Sequence, residues 1–152
     1  NNKYFAKQNL FLIIMEKNMT ITTQIILASL AAGIQKANDI NSPSSIAIVD
    51  SGRNLLGYIR MDGALLASIE ISQGKAYTSS SMNMKTGDIM ELIQPGGPLY
   101  GMEVSHDKPF IAFGGGIPIT KEGNVIGAVG VAGGMPSDDE AIAQAAADVI
   151  NN

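Results

Sequence analysis

The chain has 152 residues, a net charge of −4 at pH 7 and no cysteine, which leaves room for one domain that buries about two-thirds of its surface without disulfide staples. Ten basic against fourteen acidic residues argue against a polyanion-binding surface, and the lack of cysteine excludes thiolate zinc sites and cysteine nucleophiles and fits a reducing, cytoplasmic setting. The longest apolar run near the start, Leu10 to Met15, is far short of the ~20 residues that span a bilayer and precedes no small-residue cleavage site, so neither nucleic acid nor membrane is an expected partner.

Residues 1–18 read as a detached, flexible extension, Asn- and Lys-rich around one apolar knot, which leaves 19–152 as a single domain. From Thr22 to Asn38 the apolar residues Ile26, Leu30, Ile34 and Ala37 recur at helical steps. Thr22 is placed to cap this helix, and Ile21 and Ile26 to staple it. Its small residues, Ala28, Ala31, Ala32 and Gly33, invite close approach to a sheet, and Asn41, Ser42 and Pro43 end it.

Two strands follow, 44–50 and 54–60, joined by the turn Ser51-Gly52-Arg53. The first is apolar on both faces, as a central strand would be. Ser68 to Asn83 reads as a second helix, with Ser68 as its cap and Glu70 at its positive end. Gly74 within it costs roughly 1 kcal/mol relative to alanine. A short helix with its own cap spans Thr86 to Ile93. In the loop 94–101, Pro95 and Pro98 remove donors and Gly96-Gly97 permits positive φ.

Three strands are expected next, 109–113, 117–120 and 124–132, with Lys121-Glu122-Gly123 as a tight turn. On the last strand Gly127, Val129 and Val131 share one face. Ile126, Ala128, Gly130 and Ala132 share the other, whose mostly small residues invite a closely packed helix. Ser137-Asp138-Asp139-Glu140 reads as a capping box opening a final helix to Ile150, which explains the acidic pair better than acid–base work does. Strands clustered in hairpins predict an α+β fold, a five-stranded antiparallel sheet with helices packed on it.

The glycines do not spell a phosphate site. Gly114-Gly115-Gly116 opens no helix, and the helix after Gly133-Gly134 carries acidic residues in its first turn. Sharp turns and close backbone approach explain them better. His106, the single histidine, lies in the polar loop 105–108, with no nucleophile elbow in the chain. It reads as a solvated loop residue, with a ligand or catalytic role as the alternative. Arg60-Met61-Asp62-Gly63 would hold an anionic group or close a local Arg60–Asp62 pair. Lys75 and Tyr77 stand mid-helix in a small, hydroxylated stretch. Lys75 would reach a ligand carboxylate or pair with Asp62. Met82, Met84, Met90 and Met102 suit core packing, although a thioether, Tyr100 or His106 could also ligate haem iron.

Taken in order, SSIAIVDSGRNLLGYIRMDGALLASIEISQGKAYTSSSMNM, QPGGPLYGM, FGGGIPI and VIGAVGVAGGMPSDDEAIA resemble the GlcG/HbpS family, which includes the C-terminal domain of PduO-type proteins. The resemblance runs from Thr20 to Ile150. It implies a profilin-like α/β sandwich with a five-stranded antiparallel sheet, assembly into dimers or larger homo-oligomers, and haem binding, which some members show. It also implies that Arg60, Asp62, Lys75, Tyr77, Gly96, Gly97, Pro98, Gly114, Gly115 and Gly116 gather at a ligand pocket. Some PduO-type domains use a histidine near the first helix. The helix Thr22–Asn38 has none here, and His106, the candidate metal ligand, lies elsewhere in the chain. The adenosyltransferase activity of PduO-type proteins lies in a different, N-terminal domain and is not implied.

Three functions are compatible with these observations. The first is an oligomeric module that binds haem or another small molecule. The second is an accessory protein or enzyme of glycolate, diol or glycerol metabolism, in which Arg60, Lys75 and Tyr77 orient the substrate; no catalytic residue is nominated. The third is an assembly protein without a small ligand.

Overall fold

The computed structural model describes residue 7 and residues 20–105, 107–108 and 110–152. The expected extension, Lys7 apart, and His106 lie outside the described residues. The elements are α1 (Thr23–Asp39), β1 (Ser45–Asp50), β2 (Leu55–Arg60), α2 (Ser68–Met82), α3 (Thr86–Ile89), a 3-10 turn (Met102–Val104), β3 (Gly116–Lys121), β4 (Asn124–Ala132) and α4 (Pro136–Asn151). The strands form one antiparallel sheet in the order β2-β1-β4-β3. As expected, β1 is central.

Among the described residues the sheet has four strands, not five. Of the segment expected as a strand over 109–113, the described residues 110–113 lie on α2 instead. The Ile111 N–H donates to the Thr78 hydroxyl at 2.9 Å and the Phe110 N–H to the Glu103 carbonyl at 3.2 Å, so these donors are not offered to a ladder. Gly74 makes this possible. A Cβ there would stand 2.7 Å from Ile111 Cγ1, so the helix-weakening glycine is the seat of the strap that crosses it.

The two faces of the sheet differ in side-chain size. Ile46, Ile48, Ile117, Ile119, Val129 and Val131 form one core with Ile26 and Ala37 of α1 and Ile142, Ala143 and Ala146 of α4. Burying each such isoleucine or valine contributes about 1.5–3 kcal/mol. Ala47, Val49 and Ala128 face Ala76 of α2 on the opposite side. There the helix comes so near that a Cβ on Gly130 would fall on the Ser72 carbonyl oxygen and the Ala76 amide. The sheet is thus covered by α1 and α4 on one face and α2 on the other.

Ile126 joins the large-residue core rather than the small face. The register steps from Ile119↔Gly127 to Thr120↔Val125, which makes Ile126 the extra residue of a bulge and reverses its side. The β3–β4 turn has Glu122 and Gly123 at φ 51° and 80°, the positive pair that a two-residue hairpin favours.

Helix starts follow the expectations only in part. Thr22 caps α1, accepting the Ile25 N–H at 3.4 Å. Ser68 does not cap α2. Its hydroxyl turns inward to the Leu65 carbonyl at 2.6 Å and the Ser45 hydroxyl at 2.7 Å. Thr86 does not cap α3, which ends at Ile89 and not Ile93. Its hydroxyl donates to the Phe113 carbonyl at 2.7 Å and accepts the Gly116 N–H at 2.8 Å. Nor does Ser137 close a capping box. Met135 is the N-cap of α4 without a side-chain cap bond, Pro136 begins the helix, and Asp139 and Glu140 serve other partners.

Candidate functional site

Two adjacent stripes of α2 carry different chemistry. The first is buried and includes Ser72, Lys75, Ala76 and Ser79. The Lys75 ammonium is fully enclosed. It donates to Asp139 Oδ2 at 2.7 Å and to the Val131 carbonyl at 2.9 Å, with the Phe113 ring centroid 4.6 Å away. Asp139 also accepts the Gly134 N–H at 3.0 Å on its other oxygen. Burial disfavours both charges, pulling the Lys75 ammonium below the ordinary lysine value and pushing the Asp139 carboxyl above the ordinary carboxylate value; the hydrogen bond between them works against both shifts. Lys75 therefore pairs with Asp139, not Asp62.

Gly115 and Gly116 pass directly over this ion pair, and Gly114 lies against Pro136 and Glu140 beside it. A Cβ on Gly115 (φ 122°) would stand 2.7 Å from Lys75 Nζ and 2.8 Å from Asp139 Cβ, and one on Gly116 would meet Thr86 and the Lys75 carbonyl. Only glycine lets the backbone cross so close to a charged pair.

The second stripe of α2 consists of Glu70, Gln73, Gly74 and Tyr77, spaced at i, i+3, i+4 and i+7. With Ile71 it forms one wall of a cleft of about 570 Å³. Val49, Leu55 and Arg53 of the β1–β2 hairpin line the opposite side, and Asp107, Lys108 and Ile111 close it. Arg53 is held by its turn at φ 66°, with its N–H bonded to the Asp50 carbonyl at 2.9 Å. Its guanidinium carbon stands 5.0 Å from the Tyr77 ring centroid and Nη1 donates to the Tyr77 hydroxyl at 3.3 Å. Lys108 Nζ lies 5.4 Å from the same centroid.

A smaller cavity of about 340 Å³ sits at the β2 edge, lined by Ile34, Asn38, Ile59, Arg60, Met61 and Asp62. Arg60 does not pair with Asp62. It forks onto the Ala64 carbonyl through Nε at 3.2 Å and Nη2 at 2.9 Å.

The residues expected at one pocket thus occupy four places. Tyr77 lines the larger cleft and Arg60 and Asp62 the smaller one. Lys75, Gly114, Gly115 and Gly116 form the buried knot. Gly96 and Gly97 belong to the loop after α3, where Gly96 takes φ 86° and a Cβ on Gly97 would stand 2.5 Å from the Leu92 carbonyl oxygen. Among the described residues no group of three or more His, Asp or Glu could hold a metal ion, and no helix is long and apolar enough to cross a membrane.

Asp139, Arg53, Lys108 and Glu70 were not expected at a site. For Asp139 the signal is periodicity, since it falls on the stripe of Ile142, Ala143 and Ala146, the core side of α4. Arg53 and Lys108 come from loops, whose placement periodicity does not report.

Residues 21–148 match the family described as haem degrading protein HbpS-like. The chain is 39% identical over 137 residues to an uncharacterized 15.0 kDa protein of the dhaT-dhaS intergenic region of Citrobacter freundii, covering 88% of this chain and 96% of that one. It is 33% identical over 136 residues to the corrinoid adenosyltransferase PduO of Citrobacter freundii, but the match covers 90% of this chain and only 41% of that protein. Its fold is similar to the crystal structure of a PduOC:heme complex, with a TM-score of 0.83, 32% identity, and 87% of this chain and 96% of that chain covered. The resemblance read from the sequence motifs therefore holds, and this chain belongs to the HbpS-like family.

Proposed function

We propose that this chain is a cytoplasmic small-ligand-binding protein that takes haem, or another planar molecule of that size, into the cleft between α2 and the β1–β2 hairpin. The cleft carries the reading. Its volume, about 570 Å³, falls within the range of roughly 300–1,000 Å³ that holds small ligands and cofactors. Its apolar walls (Val49, Leu55, Ile71, Ile111) suit a flat hydrocarbon body, and Arg53 and Lys108 suit acidic substituents. The haem bound in the PduOC complex supports the choice of ligand.

The residues lining the cleft fit haem. Tyr77 offers a phenol oxygen, one of the side-chain types that ligate haem iron. His106 precedes the lining residue Asp107 in the chain and stays a proposed ligand on that ground. Bound haem would supply a redox-active iron. The chain's own residues would enclose the macrocycle and hold its acidic edge. Of the other expected ligand residues, we assign Arg60 and Asp62 to a second, smaller site. Lys75 and Gly114–Gly116 keep the 110–113 strap in place.

Titration with hemin tests this. The expected result is a spectrum distinct from that of free hemin, saturating with protein. An unchanged hemin spectrum would overturn the haem reading. His106→Ala and Tyr77→Phe then locate the iron ligand, and a bound spectrum untouched by either substitution would remove both residues from that role.

We also propose self-association. Leu65 and Leu66 stand side by side at 66% and 71% exposure, an apolar step that a second copy would cover. Light scattering is expected to give a dimer or larger species, and Leu65→Ser with Leu66→Ser to dissociate it. A monomeric parent chain would refute this.

A further inference from the structure

The larger cleft is electrically polarised. Glu70 and Tyr77 both line it and lie seven residues apart on α2, about 10 Å along the helix axis. At the Tyr77 end two cations meet one aromatic ring: the Arg53 guanidinium carbon at 5.0 Å and the Lys108 ammonium at 5.4 Å from its centroid. Neither cation has a carboxylate within ion-pair distance among the described residues, where the ion pairs are Lys75–Asp139 and Lys85–Glu140. Asp107 also lines the cleft beside Lys108, so the lining residues of that end, Arg53, Lys108 and Asp107, carry a net positive charge. Glu70 makes the opposite end negative.

Arg53 is also pre-placed. Asp50 accepts the Asn54 N–H at 2.9 Å and holds the Asn54 amide at 3.1 Å, which fixes the turn that projects it. The ring then restrains the guanidinium, so less side-chain freedom is lost when an anion arrives.

From this geometry we infer that Arg53 and Lys108, braced on Tyr77, form an anion clamp that selects ligands with an apolar body and their negative groups on one edge. This rests on the proposed assignment of the cleft as the ligand site. It adds an orientation: acidic edge at the hairpin turn, apolar body against Leu55 and Ile71. It also adds an exclusion, since Glu70 repels a second acidic group at the far end. The ligand class is the one-edged amphipathic anion, a carboxylate, sulfonate or phosphate on a flat apolar frame.

The test uses the full chain and two fluorescent probes of like body. One is 8-anilinonaphthalene-1-sulfonate, an anion; the other is N-phenyl-1-naphthylamine, which lacks the sulfonate. The anion is expected to bind roughly tenfold or more tightly than the neutral probe, as a charge-assisted contact predicts. Arg53→Gln with Lys108→Gln is expected to erase that preference and leave the neutral probe unaffected. Both residues are exposed, so the variant should melt with the parent. Salt gives a second readout without mutation, because raising it should weaken only the anionic probe.

Equal binding of the two probes by the parent chain, or an anion preference that survives both substitutions, would overturn the clamp. Hemin separates the two proposals. If hemin does not bind but the anionic probe is preferred, the clamp stands and the haem reading falls. If hemin binds the doubly substituted chain as tightly as the parent, the clamp falls and the haem reading stands.

Discussion

The buried Lys75–Asp139 pair gives the sharpest test of how α2 is held. Asp139 serves two donors on two oxygens, Lys75 Nζ at 2.7 Å and the Gly134 N–H at 3.0 Å. Asp139→Asn has one acceptor, so it must turn an amide N–H toward one donor or the other. Lys75→Met keeps the alkyl stem but leaves a carboxylate that is 3% exposed without its counter-charge. Each single substitution is expected to cost about 3–5 kcal/mol, the usual penalty for breaking a buried pair.

At about 2–4 °C per kcal/mol for a chain of this length, that is a fall of roughly 6–20 °C in melting temperature. The double variant should recover most of the loss. Its asparagine can accept from Gly134 with its carbonyl, and no ammonium remains unpaired. Urea or thermal unfolding of the four proteins gives the coupling energy directly. Losses that add to within about 0.5 kcal/mol would mean that the two groups do not depend on one another and would refute the reasoning.

Other outcomes follow from the same structure. The pair's effect on stability should depend on pH with a defined sign. Because the folded Asp139 carboxyl titrates above its ordinary value, stability falls as pH rises from the ordinary carboxylate value through the raised one. Because the folded Lys75 ammonium titrates below its ordinary value, stability rises again as pH climbs from the lowered value toward the ordinary one. The stability of the parent chain relative to the double variant should therefore pass through a minimum between them, and a maximum there in urea titrations would contradict it. Gly130→Ala, whose Cβ would fall on α2 backbone, should cost about 3 kcal/mol or more or prevent folding. Gly96→Ala, with φ 86° but nothing within 4 Å, should cost only about 1 kcal/mol by thermal melting. Lys85→Ala, which opens the half-exposed pair to Glu140 at 3.2 Å, should change stability by less than about 1 kcal/mol, and high salt should reduce even that.

Local rules show where the chain is legible. The Thr22 cap, the Glu122–Gly123 turn and the central β1 are decided by neighbouring residues, and each stands where the sequence places it. The misread elements are those in which a distant partner outbids the local one. Ser68 and Glu140 are expected at helix starts, yet Ser68 also bonds Ser45 and Glu140 pairs with Lys85, both reached across the fold. The 109–113 segment has strand composition, but Thr78 and Gly74 give its residue Ile111 a seat on a helix. The small face of β4 was legible because side-chain size alone determines how close a helix can come. Of the residues that line the cleft, Tyr77 is named by the family resemblance. Arg53 is not, because its role arises where a hairpin turn meets a helix stripe 24 residues later.

Those two stripes of α2 make stability and binding separable. Lys75 ties the helix to β4 and α4 and Ala76 packs on the sheet; Glu70, Gln73, Gly74 and Tyr77 present the cleft. Neither hydrogen-bond partner of Asp139, Lys75 or Gly134, lines the cleft, yet through Lys75 it holds the helix from which the cleft wall projects. Asp139→Asn should therefore lower the melting temperature and weaken the anionic probe together, because the wall loses its fixed position. Arg53→Gln with Lys108→Gln should weaken the probe at an unchanged melting temperature. Parallel melting curves and probe titrations on both variants decide the matter. If Asp139→Asn melts early but binds the probe as the parent does, the cleft wall is positioned by the 110–113 strap and the hairpin, not by the buried pair.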